Sequence, residues 1–130
     1  DTTLNPGGVR IGTAEIYQTV DRFTEVEDAL VIGQPWENDE RIILFLKMKN
    51  HFELSDELKT NIKRLIRESY SPRHVPSKII AVEEIPYTIN GKKVELAVKQ
   101  IIQNQDVKNR NSLANPSILD FYKDILELDS

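Results

Sequence analysis

The chain has 130 residues, with 21 acidic against 17 basic side chains, a net charge of −4 and no cysteine. That length suits one domain with its own core. The missing cysteines exclude disulfides, thiolate metal sites and a cysteine nucleophile, and the acid excess disfavours a general nucleic-acid binder.

The first residues, Asp-Thr-Thr-Leu-Asn-Pro-Gly-Gly, lack the basic start and apolar run of a signal peptide. The longest apolar run, Ile42 to Leu46, is far too short to span a bilayer. A soluble, cytoplasmic domain is expected, with no membrane or nucleic-acid partner. His51 and His74 are the only histidines, too few for a histidine-rich metal centre.

Asn5-Pro-Gly-Gly8 is a turn signal between two short extended pieces. A helix is predicted over about residues 13–24, with Ile16, Val20 and Phe23 on one face and Glu15 in the favourable first turn. The apolar run Asp28 to Gly33 is extended, and Pro35 to Glu40 reads as a polar loop holding Trp36. Ile42 to Met48, rich in branched and aromatic residues, reads as a buried strand. Ser55 is placed to cap a second helix, with Asp56 and Glu57 in its first turn and Leu58, Ile62, Leu65, Ile66 and Ser69 as its inner stripe. Pro72 and Pro76 end it, and His74 packs or caps beside that turn.

Lys78 to Val82 is a third strand. A loop over Pro86–Lys93 leads to a helix over residues 94–103. After a polar stretch, Asn115-Pro116 is a cap and first-turn pair for a last helix carrying Ile118, Leu119, Tyr122, Ile125 and Leu126. Three strands and an N-terminal hairpin with helices packed on them make a small α+β domain.

The sequence has no Walker-type loop, dinucleotide fingerprint or metal-ligand spacing. Three segments can carry chemistry. In Thr88-Ile-Asn-Gly91-Lys92-Lys93, glycine makes a tight turn easy, and the lysine after it is presented at a fixed edge. A presented ammonium can stabilise charge developing on phosphates, although a solvated surface lysine would look the same. In Gly7-Gly8-Val-Arg10, paired glycines let backbone approach a ligand, and Arg10 can fork onto phosphate or carboxylate oxygens. A plain hairpin turn with a surface arginine is the alternative. Arg67 falls about half a turn from Leu58 at the helical period and so faces solvent. Phosphate contact and simple solvation are both open to it.

Taken together these segments resemble a known family. Gly8-Val-Arg10-Ile-Gly-Thr-Ala-Glu15-Ile is similar to the motif opening the C-terminal domain of adenylate-forming enzymes, among them acyl-CoA synthetases, luciferases and peptide-synthetase adenylation domains. Pro86-Tyr-Thr88-Ile-Asn-Gly91-Lys92 resembles that family's closing Pro-x-Thr-x-x-Gly-Lys motif. Within the family, Ala14-Glu-Ile-Tyr17, Arg73-His-Val-Pro76, Ile85 to Glu95, and Asn115-Pro116 with Leu119-Asp-Phe-Tyr122 resemble the acetoacetyl-CoA synthetases, along essentially the whole chain.

The resemblance implies a two-step ligase using ATP and CoA as substrates, with acetoacetate as the acid and an acyl-adenylate between the steps. A large N-terminal adenylation domain of the same polypeptide would hold most of the pocket, including any Mg2+ that accompanies ATP, and 130 residues alone would be inactive. The small domain would turn between steps. By position, Lys92 resembles the adenylation lysine, Arg10 a phosphate-side arginine, Gly8 a glycine lining the pantetheine tunnel, Arg67 an arginine on the CoA nucleotide, and Asp1 the hinge. Residues 104–130 resemble an acetoacetyl-type extension, which argues against a peptide-synthetase tail. A non-catalytic binding module of the same fold is the alternative. Two positions depart from relatives: Gly7 stands where acetyl-CoA synthetases carry serine, and Glu95 where many members carry arginine.

Overall fold

The computed structural model describes residues 3–89, 93–105, 107 and 113–130. Its centre is a three-stranded sheet of β3 (Val26–Trp36), β4 (Asp39–Met48) and β5 (Lys78–Ala81), in the order β3-β4-β5. β3 and β4 are antiparallel, β4 and β5 parallel. A short hairpin of β1 (Thr3–Leu4) and β2 (Ile11–Gly12) stands apart from this sheet.

The sheet is covered on both faces, which is why its strands read as continuous apolar runs rather than alternating ones. One face carries Ala29, Val31, Ile42, Leu44, Leu46 and Ile79. Against it pack the hairpin's Leu4 and Ile11, Ile16 and Val20 of α1 (Thr13–Val20), and Leu58, Ile62 and Ile66 of α2 (Asp56–Ser69). The other face carries Leu30, Ile32, Ile43, Phe45 and Ile80, under Ala97, Val98 and Ile101 of α3 (Glu95–Ile102) and the tail residues Leu113, Ile118, Leu119, Tyr122 and Leu128.

Ser55 caps α2 as expected, its hydroxyl accepting the Leu58 N–H at 3.1 Å. Leu65 and Ser69 lie off the buried stripe: Leu65 is half-buried and Ser69 exposed. α1 stops at Val20, four residues short of the predicted end.

One expectation fails and another holds only in part. Pro35 to Glu40 is not a loop: β3 runs to Trp36 and β4 begins at Asp39, with only Glu37 and Asn38, both at positive φ, between them. Proline is tolerated because β3 is an edge strand, where a missing N–H need not break the ladder. Trp36 therefore ends a strand, with the Arg41 guanidinium 3.8 Å from its ring centroid. The last helix does begin at Pro116 behind Asn115, but it is of 3-10 rather than α type. Pro116–Tyr122 and Leu126–Asp129 are 3-10 turns, separated by Asp124 at positive φ, and the Asn115 side chain makes no capping bond. Leu119, Tyr122, Ile125 and Leu128, spaced three apart, pack against the sheet, and that spacing suits the three-residue period of a 3-10 turn.

Candidate functional site

The two sequence motifs sit at opposite ends of β3. At one end, the β1–β2 turn lies over the β3–β4 hairpin. The Gly7 N–H donates to Asp39 Oδ1 at 3.0 Å and the Asn5 N–H to Glu40 Oε2 at 2.7 Å. The Glu40 carboxylate lies in the space that a side chain at Gly33 would fill, and its other oxygen is 3.4 Å from Lys99 Nζ of α3. Gly7 and Gly8 have φ of 60° and 79°, a region that costs side-chain-bearing residues strain.

The two glycines differ in what surrounds them. A Cβ on Gly7 would meet the Arg73 guanidinium, whereas a Cβ on Gly8 would meet nothing within 4 Å. Gly8 is required by its backbone and leaves an open, exposed stretch of main chain beside it. Arg10 is exposed one residue before β2. Arg67 is exposed in the last turn of α2, ahead of the 3-10 turn Pro72–His74 that carries Arg73. Arg10 and Arg67 make no hydrogen bond or ion pair among the described residues.

His74 closes this end of the α1/α2 layer. Its Nδ1 lies 2.7 Å from Ser71 Oγ and its Nε2 3.0 Å from Glu15 Oε2, while its ring stacks on Tyr70 at a centroid distance of 5.3 Å. His74 thus ties the turn after α2 to the first turn of α1.

At the other end of β3 lies the base of the Pro86–Lys93 loop. Asp28 and Pro35, the residue paired with Glu40, are about 23 Å apart along an extended strand. Lys92 and Asp1 lie outside the described residues, as does the Asn90–Gly91 turn. Around the turn, Tyr87 bridges to Lys93 in antiparallel fashion, and Thr88 bridges to Leu113 of the tail. The Ala114 N–H donates to the Tyr87 carbonyl at 2.9 Å. The loop base is thus pinned by two isolated bridges, one of them to the tail.

A network of side chains fixes that base to β3. The Tyr87 hydroxyl donates to Asp28 Oδ2. Lys93 Nζ is 3.3 Å from Asp28 Oδ1 and 4.1 Å from the Tyr17 ring centroid. The Tyr17 hydroxyl donates to Glu95 Oε2 at 2.6 Å and accepts the Val31 N–H at 2.9 Å. Val31 belongs to an edge strand, so Tyr17 satisfies a backbone donor that would otherwise face away from the sheet. Burial, reinforced by Glu95, pushes the Tyr17 phenol well above its ordinary value; burial, reinforced by Asp28, does the same to Tyr87. Both stay neutral donors at physiological pH. A cleft of about 270 Å³ opens beside the network between α1 and the start of β3, bordered by Gln18, Asp21, Glu27 and Lys93. Ile89 and Leu96, 70% and 67% exposed, present apolar side chains near the loop.

Sequence reasoning did not find this network. Its members are scattered, Tyr17 and Glu95 lying 78 positions apart, and although Tyr17, Tyr87 and Lys93 fall within or beside the motifs, nothing in the sequence pairs them with one another or with Asp28. Glu95 is the acceptor for the Tyr17 hydroxyl. Lys93 is held by the fold through Asp28 and Tyr17.

Residues 15–92 match the family described as AMP-binding enzyme C-terminal domain. The chain belongs to that family. It is 54% identical over its whole length to an acetoacetyl-coenzyme A synthetase of Rhizobium meliloti (strain 1021), and 52% identical to an acetoacetyl-CoA synthetase of Xenopus tropicalis. It spans about a fifth of the length of these relatives, 20% of each. Among solved structures, acetoacetyl-CoA synthetase from Streptomyces lividans matches all of this chain and 20% of its own, at a TM-score of 0.86 and 38% identity. A Brucella canis acyl-CoA synthetase matches 77% of this chain and 19% of its own, at a TM-score of 0.70 and 25% identity. The α+β fold expected from the sequence, with its hairpin, three-stranded sheet and packed helices, is the fold of this family's C-terminal domain.

Proposed function

We propose that this chain is the mobile C-terminal domain of an acetoacetate–CoA ligase. One observation carries the reading: identity to acetoacetyl-CoA synthetases of 54% and 52% extends over the whole chain. The family match itself ends at residue 92, so the similarity of residues 104–130 supports an acetoacetyl-type extension rather than a part common to the family.

The reaction has two steps. A carboxylate oxygen of acetoacetate attacks the α-phosphorus of ATP, and pyrophosphate leaves with the electrons of the broken P–O bond. The sulfur of CoA then attacks the acyl carbon of the adenylate, and AMP leaves. ATP, acetoacetate and any Mg2+ would be held by an N-terminal adenylation domain of the same polypeptide, against which Ile89 and Leu96 offer an apolar face. The protein would work in the cytoplasm, without a membrane or nucleic-acid partner.

Lys92 serves the first step by bridging carboxylate and ATP oxygens. The charge of its ammonium is the contribution, so acetylation would remove it. Gly8 serves the second step, where open main chain lets pantetheine pass close by. Arg10 lies toward phosphates, Arg67 toward the CoA nucleotide, and Asp1 at the hinge. The separation of the two motifs along β3 supports this division, since a domain that turns about a hinge can offer one end and then the other.

Acetoacetate-dependent AMP release by the full-length protein tests the reading, with acetate and butyrate as competing acids. The highest kcat/KM is expected with acetoacetate. Absence of acetoacetate activation, or full activity from these 130 residues alone, would contradict it.

A further inference from the structure

We infer that Asp28 is a positioning residue for adenylation: one carboxylate on the edge strand grips both ends of the loop that carries Lys92. The inference rests on the reading of Lys92 given above.

Tyr87 and Lys93 face each other across an antiparallel bridge and bracket the loop. Both reach the same carboxylate. Asp28 Oδ2 accepts the Tyr87 hydroxyl, and Oδ1 faces Lys93 Nζ at 3.3 Å while accepting the Ala29 N–H at 2.8 Å. The side chains of Asp28 and Lys93 are 23% and 29% exposed, so the pair is shielded from most solvent. Partly shielded from solvent, the two charges attract more strongly than an exposed pair would.

The residues on either side of the loop thus converge on one group. Asp28 itself has little freedom: it lies in β3, paired with Lys47 of β4, and its own carboxylate takes the next backbone N–H. On the opposite side the tail adds the Thr88–Leu113 bridge and the Ala114 to Tyr87 bond. The loop base is therefore held from the sheet and from the tail. The residue following Lys92 is anchored within one peptide of it. A reaction that needs an ammonium placed on an ATP oxygen is sensitive to such anchoring, because displacements of an ångström cost rate steeply.

Asp28 does not touch substrate in this account, so its effect should fall on the turnover of one step. In the full-length protein, Asp28→Ala is expected to lower the adenylation rate, read as carboxylate-dependent exchange of pyrophosphate into ATP, by about 10- to 100-fold. KM for ATP and acetoacetate should stay within about twofold, as should thioester formation from pre-made acetoacetyl-adenylate. Asp28→Asn keeps an acceptor for Tyr87 but not the charge facing Lys93, and should recover part of the rate. Tyr87→Phe removes one bond with little change of shape, and should show the same one-step loss in smaller measure if Asp28→Ala folds poorly. Loss of both half-reactions in parallel, or no loss in either variant, would overturn the inference. Lys92→Ala run alongside separates the two claims. If it spares adenylation, the reading of the loop and this inference fall together; if it abolishes adenylation while Asp28→Ala and Tyr87→Phe do not slow it, only this inference falls.

Discussion

The two ends of β3 hold their motifs by different means. At the β1–β2 turn, main-chain N–H groups of Asn5 and Gly7 are bound by the carboxylates of Glu40 and Asp39, while Gly8 and Arg10 stay exposed. At the Pro86–Lys93 loop, side chains do the holding: Tyr87, Lys93, Asp28, Tyr17 and Glu95 form a continuous half-buried network. The first arrangement leaves backbone exposed, and the second fixes Tyr87 and Lys93 on either side of a loop. That difference suits the two chemistries assigned to them, close passage of a slender substrate and delivery of a charge.

The largest effects should come from breaking the network end. Tyr17→Phe strands the Val31 N–H and removes the donor to Glu95. Chemical denaturation should show a loss of about 1–3 kcal/mol, the usual cost of leaving a buried polar group unpaired. A loss near zero would mean that water replaces the hydroxyl. The turn end should respond more weakly: Gly8→Ala should cost about 1 kcal/mol through positive φ alone, since nothing lies near its Cβ. Gly7→Ala should cost at least as much, because Arg73 must also move.

Alkaline titration sharpens the same contrast. Tyr17, Tyr87 and Tyr122 all have phenols raised above their ordinary 10.0, by burial first. Lys47, between Glu27 and Glu84, is raised from 10.5 to about 12. With folded values above unfolded ones, the folded chain retains protons that the unfolded chain releases. Stability is therefore complete below pH about 10 and falls as pH rises beyond it. Tyr17→Phe should flatten that fall, and Gly8→Ala should leave its slope unchanged, as read from denaturation midpoints between pH 9 and pH 11. The smallest effect is expected for Arg67→Ala, an exposed helix position, at under about 0.5 kcal/mol of stability.

Much of the scaffold was legible in the sequence. The Ser55 cap and the Leu58, Ile62, Ile66 spacing wrote α2 directly, and the branched run from Ile42 wrote β4. What misled was local chemistry overruled by position in the fold. Pro35 reads as a breaker until β3 is known to be an edge, and Glu37-Asn38 carries no glycine to announce a two-residue turn. Asn115-Pro116 does start a helix, but one whose 3-10 period goes with the tail's three-residue apolar spacing, set by the sheet it covers. The proposed site divides the same way. Gly8, Arg10 and Lys92 were legible as motifs because paired glycines and a glycine-lysine turn are contiguous. Asp28 and Tyr17 were not, because their role exists only once β3, α1 and the loop base meet.

The central claim is that opposite ends of this domain serve opposite halves of one reaction. The direct measurement is the pair of half-reaction rates in full-length protein carrying Lys92→Ala or Gly8→Ala. Lys92→Ala should reduce adenylation by about 100-fold or more, the scale of losing one transition-state charge contact, and spare thioester formation from pre-made acetoacetyl-adenylate. Gly8→Ala should slow thioester formation and spare adenylation. Equal loss of both steps in both variants would contradict the claim.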